Sequence, residues 1–211
     1  MSVRLSLAPE PPVEDGPAAP PWPHVPTVEW QVCGVCNYHC SYCIQSREHR
    51  QGHPTDEHLD RMLAFLGSLP GTWEIKTTGG EPFAFRGFMK RIVPALMRTR
   101  HRVSTLTNLS APLPVLGRFA ELTHGRLSVL SASLHLEFTA PETFITKLTS
   151  LRPLLADDAR VVVNCVLVPD RLDEVRAARD CARGRLCVLP AAHEGQGRCA
   201  RVHARPGGPR P

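Results

Sequence analysis

Apolar residues recur along this chain in two alternating rhythms. From Thr27 onward, short β-rich runs alternate with longer segments whose apolar positions fall three and four apart. Residues 27–35 read as a first strand. After a polar, cysteine-bearing loop, residues 55–69 read as a helix with Leu59, Met62, Leu63 and Leu66 on one face. Thr55 is its expected N-cap, followed by Asp56 and Glu57, which suit the positive end of a helix. Residues 73–78 make a second strand ending at Gly79-Gly80, and residues 87–99 a helix presenting Phe88, Ile92, Leu96 and Met97. A third strand spans 102–107, a helix 113–123 and a fourth strand 127–135. The next helix is expected to open on a capping box, Thr139 with Glu142, with Pro141 in its first turn and Phe144, Leu148, Leu151 and Leu155 inward. Residues 161–168 form a fifth strand and 172–182 its helix.

Five strand–helix pairs in succession imply parallel strands joined by right-handed crossovers. The fold class is therefore α/β, an open sheet or a partial barrel, in which function gathers at the C-terminal ends of the strands. The cysteine loop and the segment Gly79-Gly80-Glu81-Pro82 both fall on that edge. A sixth unit is incomplete: residues 185–189 allow a short strand, but no helical pattern succeeds it. Residues 190–211 fit a disordered tail or a shortened or out-of-frame end equally well.

Composition refines this division. Residues 1–26 hold eight prolines and little apolar patterning, as expected of an extended or disordered leader. Residues 27–189 form the folded region and residues 190–211 a basic tail. Residues 182–211 carry six arginines and one acid, Glu194, and so account for the whole net charge of +5. The remainder is neutral, which argues against a nucleic-acid-binding domain. No apolar run approaches the roughly 20 residues of a membrane span. No basic patch precedes an apolar stretch at the start, so no secretory signal is read and a reducing, cytoplasmic setting is expected.

Of eight cysteines, Cys33, Cys36, Cys40 and Cys43 lie within eleven residues. Clustered cysteines in a reducing compartment point to metal or catalysis before disulfides. Cys36, Cys40 and Cys43 are spaced CxxxCxxC. Thiolates are the usual ligands of iron–sulfur clusters, and three on one loop can hold three irons of a cubane and leave the fourth open. A zinc site using Cys33 as well, or coincidence, are the competing readings. Cys33, Cys165 and Cys181 are expected in the core, and Cys187 and Cys199 lack the further ligands of a second cluster.

A CxxxCxxC loop after the first strand, with aromatic Tyr42 just before the third cysteine, resembles the signature of the radical S-adenosylmethionine (SAM) superfamily. The Gly79-Gly80-Glu81-Pro82 segment is similar to that family's second motif, and the resemblance covers about residues 27–189. It implies a partial (βα)6-type barrel with its sixth unit incomplete, a [4Fe–4S] cluster on Cys36, Cys40 and Cys43, and SAM chelating the open iron. It further implies reductive cleavage of SAM to a 5′-deoxyadenosyl radical that takes hydrogen from a substrate, and an electron donor of the flavodoxin or ferredoxin type. Gly79, Gly80, Glu81 and Pro82 would meet the SAM amino group. Glycines allow close backbone approach, and a carboxylate suits an ammonium.

Strand alternation adds further positions. Ser131, Ser133 and His135 share one face of the fourth strand, and the resemblance places Ser133 and His135 near the SAM ribose or carboxylate. Asn164 matches a SAM-contacting position, with a hydrogen-bonded core role as the alternative. The resemblance places Tyr42 beside the cluster with its backbone at the SAM adenine, with simple packing as the alternative, and Asn108 is expected in a turn. His53, His58, His101 and His124 have no metal-like spacing and are expected on the surface. Nothing in the chain marks a substrate. Beside a SAM-dependent radical enzyme stand a simple iron–sulfur or zinc protein and a shortened form of the fold that has lost turnover.

Overall fold

The computed structural model describes residues 25–167 and 171–186, the last six by backbone alone. Five βα units succeed one another: β1 (Thr27–Cys33), α1 (Asp56–Ser68), β2 (Glu74–Gly79), α2 (Val93–Met97), β3 (Arg102–Thr107), α3 (Leu113–Leu122), β4 (Leu127–Leu134), α4 (Pro141–Leu151), β5 (Arg160–Cys165) and α5 (Leu172–Leu186). The strands form one parallel sheet in the order β1-β2-β3-β4-β5. Each crossover lands on the adjacent strand, and each helix packs beside the next, so the helices lie as one layer on one face. The expected sixth strand begins inside α5 at residues 185–186 and continues outside the described residues. Residues 1–24 of the leader, the tail, Cys187, Cys199, the side chain of Cys181 and Val168 lie outside them too, and the fifth strand ends at Cys165, short of the expected end.

The core lies between the sheet and this helical layer. Ile75, Val103, Leu130 and Leu134 meet Leu66, Phe88, Leu96, Leu116, Phe144 and Leu148, all almost fully buried. Phe83, Phe88 and Phe119 form its aromatic centre, with ring centroids 5.1–5.9 Å apart. Burying a side chain of this size contributes about 1.5–3 kcal/mol. The opposite face of the sheet is largely polar: Lys76 pairs with Glu29 at 2.8 Å, Ser104 donates to Glu74, and Asn164 reaches Ser131 at 2.7 Å.

Three sequence expectations change on inspection. The helix expected over 87–99 is a widened turn, Phe88–Ile92, leading into the short α2. Pro94 has no N–H to give to the carbonyl four residues back, and the Val93 N–H instead donates to Phe88 O, five back. The capping box of α4 does not form: its N-cap is Ala140, without a side-chain cap. Thr139 is held one residue earlier, its N–H donating to His135 O and its hydroxyl 2.8 Å from that of Tyr38. His101, expected at the surface, is 1% exposed. Its ring bridges the core's rim, Nδ1 accepting from the Trp73 N–H and Nε2 lying 2.7 Å from Leu66 O. His53, His58 and His124 are exposed as expected. The Thr55 cap is also as expected, accepting from the His58 N–H at 3.2 Å.

Candidate active site

The cysteine loop leaves β1 at the C-terminal edge of the sheet and is fastened on three sides. Its stem is tied to the segment after it: Gly34 and Val35 N–H groups donate to Gly52 O, and the Cys36 N–H to Arg50 O at 3.3 Å. Asn37 links it to the end of β3, donating to Ser110 Oγ and accepting from Asn108 Nδ2, each at 3.0 Å. Ser41 links it to the end of β4 through two hydrogen bonds to Glu137. Tyr38 stacks on Phe138 at 4.5 Å. A loop held this way can carry ligands without large rearrangement.

Cys40 Sγ lies 3.4 Å from His135 Nδ1, and Tyr42 Oη lies 2.8 Å from the same nitrogen, with the two rings stacked. Cys40, Tyr42 and His135, expected together at one site, are thus in direct contact. Burial holds the His135 imidazole below its ordinary pKa, so the neutral ring is favoured. Burial also raises the Cys36 and Cys40 thiols, and their charged forms feel one another and Cys43. Among the described residues, no three His, Cys, Asp or Glu side chains are gathered closely enough to hold a single metal ion. One tetrahedral zinc, with Zn–S near 2.3 Å, needs such gathering. Three thiolates that each bind a different iron of a cubane stand further apart.

The Gly-Gly-Glu-Pro segment packs under this loop. Gly79 has φ +145°, and a Cβ on Gly79 or Gly80 would strike the backbone of Cys33, Gly34 or Val35. Glycine is therefore required here by the contact between β1 and β2, whatever binds above. Pro82 is buried and opens the short turn Pro82–Ala84. Glu81 is fully enclosed. Its Oε1 accepts from the Phe83 N–H at 3.1 Å and the Thr107 hydroxyl at 2.9 Å, and its Oε2 from the Asn108 N–H at 2.6 Å. Burial raises its pKa, and these three donors oppose the rise.

Ser131, Ser133 and His135 are half-buried on one face of β4, while Ala132 and Leu134 are buried on the other, as alternation requires. Asn164 pairs with Ser133 in register and donates to Ser131. Asn108 takes the expected turn role, its Oδ1 accepting from the Ser110 N–H. Cys33 is buried, and burial pushes its thiol to about 11. That state suits a core residue more than a ligand. Cys165 is half-buried against the edge of the core.

Sequence reasoning missed Glu137 and Arg50. Glu137 was findable, two residues past His135 at a strand end. Arg50 was not: Nε and Nη1 of its guanidinium are enclosed yet have no hydrogen-bond partner among the described residues.

Comparison with known proteins identifies the family and the fold. The sequence profile of the radical SAM superfamily matches residues 30–159, well over half of the chain. Two similar solved structures are a hexahistidine-tagged anSMEcpe with bound AdoMet (TM-score 0.54, 14% identity) and native anSMEcpe with bound AdoMet and Cp18Cys peptide (TM-score 0.54, 15% identity). Each alignment covers 76% of this chain but only 48% and 47% of the solved chains, so the chain spans about half their length. At this identity the likeness shows the fold, a partial parallel barrel. No curated protein matches the chain significantly.

Proposed function

Since the chain belongs to the radical SAM superfamily, we propose that Cys36, Cys40 and Cys43 hold a [4Fe–4S] cluster and that SAM binds beside it. The observation that carries this reading is the fastening of one three-cysteine loop over the C-terminal edge of the sheet, with Cys40 against His135. When bound, such a cluster supplies the electron that splits SAM into methionine and a 5′-deoxyadenosyl radical able to take hydrogen from a substrate. The residues of this chain bind and orient. The backbone of Gly79, Gly80 and Pro82 presents a rigid edge to the SAM amino group, and Glu81 fixes its shape from behind. Ser133, His135 and Asn164 offer polar contacts on the open face of β4 and β5, and Tyr42 a wall beside Cys40. The reducing cytoplasm and a flavodoxin- or ferredoxin-type donor suit this chemistry.

Electron paramagnetic resonance of anaerobically reconstituted, reduced protein tests it, with and without SAM. A [4Fe–4S]⁺ signal that changes on adding SAM, with 5′-deoxyadenosine formed under reductant, is the expected result. A cluster signal indifferent to SAM, with no 5′-deoxyadenosine, would leave a cluster-binding protein without turnover. Zinc in place of iron would overturn the reading.

A further inference from the structure

Arg50 stands apart from the other charged groups near the loop. Its backbone is bound into the site: its carbonyl accepts from the Cys36 N–H at 3.3 Å, and its own N–H donates to Ser46 O at 3.1 Å. Its guanidinium is not. Nε and Nη1 are shut away from solvent without an acceptor among the described residues, and no ion pair with a carboxylate is formed there. Two buried donors of a cation left without an acceptor are unfavourable unless something negative arrives. Glu81, the enclosed carboxylate of the same edge, is already satisfied by three donors and does not serve. Glu137 faces Ser41 and Arg171 on the other side of the loop.

Three thiolates around a cubane supply such an anion: the set carries one net negative charge when oxidised and two when reduced. The bond from the Cys36 N–H to the Arg50 carbonyl sets Arg50 directly beside the first cysteine of the loop. We propose that Arg50 is the fixed counter-charge of the cluster, a positioning residue that eases uptake of the electron by balancing the second negative charge. This rests on the cluster assignment of the preceding subsection.

The test is a redox titration of reconstituted protein tracked by the reduced-cluster signal, in wild type, Arg50→Gln and Arg50→Lys, with iron content and SAM affinity measured on each. Arg50→Gln should take up iron but be harder to reduce. At the wild-type midpoint its ratio of reduced to oxidised cluster should fall about tenfold, equivalent to about 59 mV for one electron. Arg50→Lys, which keeps the charge, should recover most of that loss, and SAM affinity should stay within about twofold. An unchanged potential in Arg50→Gln would overturn the proposal. So would an unchanged potential with weakened SAM binding, which would give the guanidinium to the SAM carboxylate instead. If Arg50→Gln does not fold, the lysine variant decides: a potential displaced as far as that of a neutral variant Arg50→Met would overturn it. Absence of any cluster in the wild type is a different result, and it removes the assignment on which the proposal stands.

Discussion

A fully buried carboxylate and a half-buried guanidinium lie at the same end of the sheet, and the protein treats them in opposite ways. Around Glu81, the ends of β2 and β3 aim two backbone N–H groups and a hydroxyl at one carboxylate. At Arg50, beside the cysteine loop, two guanidinium nitrogens are buried without a hydrogen-bond partner among the described residues. A buried charge with its donors in place holds structure together, whereas one without partners marks where a ligand of opposite charge is due. The same edge therefore divides into a finished part, which sets the shape of the Gly-Gly-Glu-Pro segment, and a part whose cation has no partner among the described residues.

The largest expected effect comes from emptying the finished part. Glu81→Ala strands three buried donors, each costing about 1–3 kcal/mol, so a loss of about 3–5 kcal/mol is expected in denaturant melts. Glu81→Gln keeps one acceptor oxygen but turns an NH₂ towards the Asn108 N–H, and should cost about 1–3 kcal/mol. The two states also differ in pH response. Burial places the Glu81 pKa above its ordinary 4.5 in the folded protein, so at pH values between the two the folded state binds a proton that the unfolded state has released, and above both it is a carboxylate. Its contribution to stability is fully present below about pH 4.5 and is lost as pH rises through the folded value. Wild type should show that downward slope and Glu81→Gln should lack it. Equal slopes would mean that Glu81 titrates as if exposed.

A smaller effect is expected at a third charge, which lies between these extremes. Lys147 on α4 donates to the carbonyls of Leu109, Ser110 and Ala111 at 2.9–3.3 Å. Among the described residues it is answered by dipoles and by no anion, and desolvation lowers its pKa. It pins the loop in which Leu109 takes the left-handed conformation, at φ +59°. Lys147→Met keeps the aliphatic stem and removes the donors. The group is partly exposed, so about 1–2 kcal/mol is expected from a chemical melt. A neutral result would mean that the Asn108 and Asn37 bonds suffice to hold this loop.

Much of this edge was readable from the residues. The five βα units, the parallel strands and the Thr55 cap come from periodicity and local chemistry, and β3 falls on the expected residues 102–107. The cysteine loop and the shared face of Ser131, Ser133 and His135 came from the same logic. What was not readable depends on partners distant in sequence. His101 looked like a surface residue because its partners, Trp73 and Leu66, lie 28 and 35 positions away. Thr139 looked like a cap because the rule is local, but Tyr38, 101 residues earlier, takes its hydroxyl. Glu81 looked open to a ligand, and its enclosure depends on how β3 ends. Arg50 sits in a stretch with no apolar rhythm, and an absent partner leaves no mark in sequence at all.

The smallest expected effect is the sharpest test of the comparison, because it predicts a sign. Removing a charge at Glu81 destabilises, since donors are stranded. Removing one at Arg50 strands nothing, so in cluster-free protein Arg50→Gln should be neutral or stabilising, within about 1 kcal/mol. Once the cluster is loaded the sign should invert, because the anion then loses its counter-charge. Paired denaturant melts of wild type and Arg50→Gln, before and after anaerobic reconstitution, read both. If Arg50→Gln costs as much as Glu81→Gln in the cluster-free protein, the guanidinium has a structural partner already and the two parts of the edge are alike. If it costs little before loading and more after, the unpaired cation is a feature of the site and not a defect of packing.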